Sequence, residues 1–230
     1  MKQISMLLII AALFQAAQAA PITVANASFE DPATANYVGT NGGDGTNGLP
    51  GWLHPAWTNT YLINKSGGTA TATGVTGNQF LFLEPYNDGG NSYVYQNTGA
   101  KFAAGTYTLT VDVGMATGFA DWSEDASAEF QLVAFDGTVY NYNLGVAATT
   151  VIVKNELGKL SSYSYTLDLG GSESFIGNDV VIVLKGNKNT STFQNVSYDN
   201  VRLDAVPEPA SLLLLGLGSL TLLRRRRASA

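Results

Sequence analysis

Apolar residues in the middle of the chain recur at every second position, the spacing of a β-strand with one buried face. The clearest run, residues 106–114, sets Tyr107, Leu109, Val111 and Val113 against Thr108, Thr110 and Asp112. Comparable runs are residues 22–24, 79–84, 92–96, 129–136, 162–169, 180–185 and 196–204. Turn-forming Gly, Asn and Asp residues separate them, and no segment between the two ends of the chain shows an amphipathic helical period. This pattern predicts an all-β fold, a single β-sandwich of the jelly-roll or immunoglobulin-like type.

The N-terminus has the layout of a secretory signal peptide. Lys2 precedes an apolar segment at residues 6–14, and small residues ending in Ala17-Gln18-Ala19 follow. This order predicts a signal peptide at residues 1–19, with cleavage after Ala19. The alternative is a buried N-terminal helix, but no amphipathic pattern continues the segment.

The C-terminus, residues 206–230, combines a proline-containing motif, an apolar run and a cluster of arginines. Pro207-Glu208-Pro209 suits the start of a helix, since proline is tolerated in the first turn and a carboxylate complements the helix dipole. Residues 210–223 would form a helix of roughly 21 Å, shorter than the bilayer core of roughly 30 Å. The positive-inside rule places the cluster that follows in the cytoplasm: Arg224, Arg225, Arg226 and Arg227. A plain tail anchor in the inner membrane is the alternative.

The order of these parts resembles the PEP-CTERM sorting signal of Gram-negative bacteria. That resemblance implies an exported protein, held in the inner membrane by a short transmembrane sorting helix until an exosortase-type enzyme cuts near the motif. The body would then pass to the cell surface or extracellular matrix. The signal gives a destination and no biochemical activity.

Between the two ends lies one predicted domain, residues 20–205. Without Lys2, Glu208 and the arginine cluster, seven basic and 17 acidic residues remain, a net charge of about -10. An acidic surface of this kind argues against a nucleic-acid partner. The absence of cysteine excludes disulfides and thiolate metal sites.

Two short motifs at the ends of this domain resemble the galactose-binding-like jelly rolls, which include carbohydrate-binding modules. The N-terminal motif is Asn26-Ala27-Ser28-Phe29-Glu30 followed by Pro50-Gly51-Trp52, and the C-terminal motif is Tyr198-Asp199-Asn200-Val201-Arg202-Leu203. The resemblance implies that the first and last strands are neighbours and that Glu30 and Asp199 share a structural Ca²⁺. Calcium prefers such oxygen ligands. The alternative is that Glu30 binds backbone amides and Asp199 fixes a turn.

Signals for catalysis are weak. His54 is the only histidine, which leaves no basis for a metal-hydrolase cluster or a Ser-His-Asp triad. Four carboxylates near residue 125 would suit a glycosidase only if they left the polar stretch in which they occur: Asp121, Glu124, Asp125 and Glu129. The sequence therefore predicts a protein that is not an enzyme.

Carbohydrate binding is better supported, because sugar rings stack on aromatic side chains while amides and carboxylates bind their hydroxyls. The principal candidates are Trp57, Trp122, Trp52 and Tyr61, with Tyr86, Tyr93 and Tyr95 as further aromatic residues. Ordinary packing is the alternative for each of them. The sequence thus predicts an exported protein that binds carbohydrate or exopolysaccharide. A structural envelope or biofilm matrix protein is the alternative, and a glycoside-acting enzyme is a more distant one.

Overall fold

The computed structural model describes residues 18–34, 37–39, 48–54, 59–66, 70–84, 92–118, 127–135, 149–151, 157–187 and 195–208. Within these ranges the regular structure consists of eleven strands: β1 Ala20–Ile22, β2 Tyr37–Gly39, β3 Asn59–Asn64, β4 Gln79–Glu84, β5 Ser92–Lys101, β6 Gly105–Met115, β7 Ser127–Phe135, β8 Thr149–Val151, β9 Lys159–Leu169, β10 Asp179–Asn187 and β11 Val196–Pro207. None of the described ranges contains a helix suited to crossing a membrane. The predicted signal-peptide core and sorting helix lie outside them.

The described strands form two antiparallel sheets, which confirms the predicted β-sandwich. Sheet A has seven strands in the order β2-β3-β4-β11-β6-β9, with β1 paired to β11 beside β4. Sheet B has four strands in the order β5-β10-β7-β8. The first and last strands are neighbours, as the resemblance to the jelly rolls implies.

The core between the sheets follows from the alternation seen in the sequence. In β6 the inward residues are all buried: Tyr107, Leu109, Val111 and Val113. They meet inward residues of sheet B, including Phe130, Leu132, Val180, Ile182 and Leu184. Burying this many aliphatic and aromatic side chains is the dominant favourable term in folding.

A second, smaller apolar cluster covers part of the outer face of sheet A. Phe80 and Phe82 point away from the main core and pack with Ile63. Residues 70–78 lie over them, held by the pairings of Thr71 with Thr117 and of Thr73 with Lys159. This cover positions residues 76–79 beside the last strand.

One side chain ties the two sheets together through the core. Tyr198, on β11 of sheet A, is fully buried. Its hydroxyl donates to the Lys185 carbonyl at 2.6 Å and accepts from the Glu129 amide at 3.1 Å, and both partners belong to sheet B. Burial raises the pKa of this hydroxyl far above its ordinary value, so it stays protonated and able to donate.

Tyr198→Phe should lower the free energy of unfolding by about 1–3 kcal/mol, because it leaves a buried carbonyl and a buried amide without this partner. Urea unfolding of residues 20–208 measures the change. Tyr165→Phe is the control, since this half-buried edge tyrosine makes no hydroxyl hydrogen bond within the described residues. Equal effects of the two substitutions would contradict the bridging role.

Candidate functional site

The C-terminal motif contains a β-bulge. Asp199 pairs with Asp112, but the next pair joins Arg202 to Thr110, so β11 carries one more residue than β6. Asn200 takes up this residue in a left-handed conformation, with φ of 49°. The Val201 amide then donates to the Ala27 carbonyl at 2.9 Å, which brings the N-terminal motif against the last strand.

Glu30 and Asp199 bind the same turn, residues 76–79. Asp199 Oδ2 accepts from the Thr76 amide at 2.5 Å, and Glu30 Oε1 accepts from the Asn78 and Gln79 amides at 2.7 and 2.8 Å. Gly77 lies between them with φ of 80°, and a Cβ there would stand 2.4 Å from Glu30 Oε1. The turn therefore needs glycine at this position to hold both carboxylates.

Asp199 is an unusual carboxyl group because none of its surface is exposed. Its pKa is raised to about 7, chiefly by burial and also by the charges of Asp112 and Glu30, against the lowering effect of the hydrogen bonds from the Thr76 and Asn200 amides. A nearby cation would stabilise the ionised form of Asp199 against the cost of burial and would offset the repulsion from Asp112 and Glu30.

The donor set near Glu30 and Asp199 consists of oxygen atoms. Carboxylates and main-chain carbonyls suit calcium better than they suit transition metals, which prefer nitrogen or sulfur ligands. The described residues contain no group of three or more His, Cys, Asp or Glu able to hold a metal. Lys65 Nζ donates to the Gly77 carbonyl of the same turn.

Asp112, on the β6 side of the bulge, is held by its own partners. It accepts from the Ser162 hydroxyl, from Asn200 Nδ2 at 2.9 Å and from Arg202 at 3.5 Å. Sequence reasoning missed this cluster, although the alternation of β6 had already placed Asp112 on its polar face. These bonds fix the bulge.

A second candidate site is the outer face of sheet B, formed by residues of β5, β10 and β7 that point away from the core. Strand register arranges them in three rows: Tyr93, Lys185 and Glu129; Tyr95, Val183 and Gln131; Asn97, Val181 and Val133. Val133, Val181 and Val183 are buried and form an apolar cluster with the half-buried Tyr93, Tyr95 and Phe135. The face is therefore apolar and aromatic at its centre and charged in its first row.

Glu129 anchors the polar row of this face. It is only 8% exposed and accepts from Lys185 Nζ at 3.1 Å, from Asn187 Nδ2 at 2.8 Å and from Gln131 Nε2. Burial opposes its ionisation, but these three donors outweigh burial and hold the pKa below its ordinary value. Glu129 is thus an ionised carboxylate, and it lies within β7, as the predicted strand run at residues 129–136 indicates.

The residues predicted from sequence are divided between these regions and the rest of the chain. Trp52 is fully buried, stacks near Phe29 at 5.3 Å and donates its indole N–H to the Ala25 carbonyl at 3.1 Å. It has no surface to offer a ligand, because the Pro50-Gly51 turn directs it into the core. Tyr61 is half-buried on the outer face of sheet A, at 6.0 Å from Phe82.

The remaining predicted residues include several outside the described ranges: Trp57, Trp122, Pro209, Arg224, Arg225, Arg226 and Arg227. Pro207 and Glu208 are described and exposed at the end of β11. His54 is buried. The outer face of sheet B is what sequence reasoning missed as a site, although the period of β5 had placed Tyr93 and Tyr95 on one face.

Together these features define a β-sandwich domain. The chain belongs to the HpiC1-like family, because the family model described as HpiC1 cyclase matches residues 20–204. Residues 205–227 match the PEP-CTERM protein-sorting motif, which confirms the predicted signal. The motif marks an exported, membrane-anchored protein that an exosortase processes.

Solved structures of similar fold include two cyclases from Fischerella sp. TAU. A Stig cyclase in complex with (3Z)-3-(1-methyl-2-pyrrolidinylidene)-3H-indole is 23% identical over 83% of this chain and 99% of its own, with a TM-score of 0.64. A cyclase in complex with 4-(1H-indol-3-yl)butan-2-one is 22% identical over 82% and 98%, with a TM-score of 0.63.

The structural neighbours also include a carbohydrate-binding jelly roll. The CBM22 xylan-binding domain from Paenibacillus barcinonensis is 14% identical over 75% of this chain and 94% of its own, with a TM-score of 0.41. No curated protein matches the chain significantly in sequence.

Family membership corrects one prediction. The sequence predicted that the protein is not an enzyme, and this prediction is wrong, since residues 20–204 belong to a family described by a cyclase and share the fold of two cyclases. The prediction rested on the absence of a recognisable catalytic motif, and a jelly-roll scaffold reveals none through residue spacing.

The raised pKa of Asp199 predicts a pH dependence in the presence of a chelator. The folded state binds this proton up to about pH 7, whereas the unfolded chain loses it near the ordinary value of 3.8. The free energy of unfolding should therefore fall as pH rises from about 4 to 7 and then level off, by at most about 1.4 kcal/mol per pH unit. Urea unfolding between pH 4.5 and 8 measures this slope.

Asp199→Asn should flatten the slope, because it removes the titrating group and keeps the shape of the side chain. Asp179→Asn is the control, since this carboxylate lies at the other end of the domain, paired with Lys101. Parallel profiles for Asp199→Asn and the unmodified domain would contradict the assignment.

Proposed function

We propose that this protein is delivered to the cell surface or extracellular matrix of a Gram-negative bacterium and binds carbohydrate there through the outer face of sheet B. The proposed organisation is a signal peptide at residues 1–19, a binding domain at 20–205 and a sorting signal at 206–230. The observation that carries the proposal is the row structure of the outer face, in which Tyr93 and Tyr95 lie next to the polar groups of Lys185, Glu129 and Gln131.

The chemistry of this face suits a sugar. The apolar C–H surface of a pyranose packs on tyrosine rings, while its hydroxyls exchange hydrogen bonds with carboxylate, ammonium and amide groups. Glu129, Lys185 and Asn187 already hold each other in place, so little side-chain ordering is required when a ligand binds. An exopolysaccharide offers many such rings along one chain.

The position of this face also supports a surface role. The Tyr198 hydroxyl donates to the main-chain carbonyl of Lys185 in the first row, and Pro207, where the sorting motif begins, is nine positions further along β11. At about 3.3 Å per residue, roughly 30 Å lies between Tyr198 and Pro207. The polar row is therefore remote from the C-terminus that the membrane holds.

Tyr93→Ala and Tyr95→Ala should each weaken carbohydrate binding at least tenfold, which corresponds to about 1.4 kcal/mol. Glycan arrays and affinity electrophoresis in soluble polysaccharides measure the change with residues 20–208. Tyr61→Ala is the matched control, because it removes a half-buried tyrosine from the opposite sheet. Equal losses at all three positions would indicate unfolding and would overturn the proposed site.

Trp57 and Trp122 stay in the proposal as further stacking residues. Trp57 follows Leu53, which pairs with Tyr95 at 2.8 Å in both directions, and Trp122 precedes β7 by a few residues. Trp57→Ala and Trp122→Ala extend the same binding series.

We also propose a structural calcium held by Glu30 and Asp199 together with main-chain carbonyls near residues 76–79. The convergence of both carboxylates on one turn supports it, because two such groups repel each other without a cation. The calcium would supply charge neutralisation and would brace the bulge of β11.

Calcium that binds only the folded domain should raise the free energy of unfolding by about 2.7 kcal/mol at a hundredfold excess over Kd. The melting temperature should rise accordingly. The combined Glu30→Gln and Asp199→Asn variant should lose this rise. Asp179→Asn, a carboxylate substitution remote from the turn, should keep it. If neither calcium nor a chelator changes the melting curve of the unmodified domain, the proposed calcium site is wrong.

A second candidate function is catalysis of a cyclisation, and family membership favours it. The two Fischerella cyclases are complexed with indoles, flat aromatic molecules that would also stack on Tyr93 and Tyr95. Isothermal titration calorimetry with 4-(1H-indol-3-yl)butan-2-one, together with product analysis, tests it. Binding of this indole with no response to any glycan would place this function ahead of the first.

A further inference from the structure

The sorting motif begins inside the folded domain. Pro207 is the last residue of β11 and pairs with Gly105 of β6, and the Glu208 amide donates to the Ala104 carbonyl at 3.3 Å. On its other side, β11 pairs with β1, with Ala20 opposite Ala205. The backbone from 203 to 208 is therefore committed to the sheet.

Gly105 makes this close pairing of the strand end achievable. Its φ is 146°, and a Cβ there would stand 2.4 Å from the Val206 carbonyl oxygen and 2.9 Å from the Pro207 Cα. Real side chains do not approach backbone atoms so closely, so any other residue would push the end of β11 away. The sequence thus keeps a glycine where the motif lies against β6.

The side chains of the motif remain accessible although its backbone is paired. Pro207 and Glu208 are exposed, and they line one wall of a cleft of about 350 Å³ whose other wall includes Thr106, Asp168 and Gly170. An approaching enzyme can therefore touch these two side chains while the sheet stays closed. It cannot pair with the same stretch of backbone.

We propose that the fold sets the processing site: the exosortase cuts only beyond the Glu208 amide, and the surface form keeps Pro207 and Glu208. Enzymes that cut peptides commonly hold the substrate as an extended strand through its N–H and C=O groups. Up to the Glu208 amide these groups serve the sheet, so every upstream bond requires β11 to separate from β6 first.

The covalent step is the breaking of one peptide bond beyond this point. Water or an acceptor amine adds to the carbonyl carbon, the C–N bond to the tail breaks, and the departing nitrogen takes the proton of the attacking group. The product keeps the complete β11 and hence all its pairs with β6. This inference depends on the sorting motif and not on the proposed ligand.

The first experiment locates the cut in the native host. The full chain is expressed there with its exosortase, the surface form is purified, and its C-terminus is read by intact mass and C-terminal peptide sequencing. We expect a C-terminus at Glu208 or later. A C-terminus at Pro207 or earlier in the folded surface form would overturn the proposal.

The second experiment loosens the strand end. Gly105→Ala should open the pairing of Val206 and Pro207, speed processing at least threefold in a pulse–chase, and produce additional C-termini upstream of Pro207. Gly177→Ala is the matched control, because this glycine also has a positive φ, 88°, but a Cβ there meets nothing within 4 Å. Identical rates and C-termini for the two variants would overturn the proposal.

Hydrogen exchange of the unprocessed full chain in detergent micelles gives a readout that needs no enzyme. The Val206 and Glu208 amides should exchange several-fold faster in Gly105→Ala than in Gly177→Ala, while amides of β10 stay protected in both. Unchanged exchange at these two amides in Gly105→Ala would overturn the proposal, because the close approach at Gly105 would then not hold the strand end.

Discussion

The structure depends on the pairing of the last strand, β11, inside sheet A. β11 has β6 along one side and both β4 and β1 along the other, so it joins the N-terminal and C-terminal halves of the sheet. Its Tyr198 also reaches through the core to sheet B. Sheet A is therefore complete only when this last strand is in place.

The bulge in β11 determines the directions of Asp199 and of the Val201 amide. The additional residue at Asn200 lets Asp199 turn toward residues 76–79 while Val201 and Leu203 return to the core. A regular strand would keep Asp199 in the ladder but could not also direct the Val201 amide to Ala27. Strand, turn and N-terminal motif are thus fixed by one local irregularity, and the carboxylates of Glu30 and Asp199 meet as a result.

The strands were readily predicted, because apolar and polar residues alternate along a strand that has one buried and one exposed face. Residues 79–84 match β4, and residues 162–169 fall within β9. The outer face of sheet B could not be predicted in this way. Val180 to Leu184 are all apolar, because alternate residues of β10 join the main core and the apolar cluster of the outer face. A continuous apolar run does not show which of its residues point outward.

The candidate sites show the same limit. Glu30 and Asp199 were identified through short motifs. Trp52 was predicted to contact a ligand, but the Pro50-Gly51 turn directs its side chain into the core. Glu129 was placed in a strand, but sequence cannot show that Lys185 and Asn187 bind its carboxylate. Contacts between residues more than fifty positions apart depend on register, and register is a property of the folded sheet.

The antiparallel pairing of β1 with β11 has a mechanical consequence. Ala20 and Ala205 are opposite each other, so the N-terminus and the C-terminus of the domain lie at the same end of sheet A. Before its tail is released, the domain is held by the end of β11 at the membrane. A pull from the far end of the sandwich then acts along β11, and the nine residue pairs that join it to β6 resist together in shear instead of opening one after another. The tethered domain therefore resists tension along β11 in the shear geometry, in which all the hydrogen bonds between β11 and β6 bear the load at once.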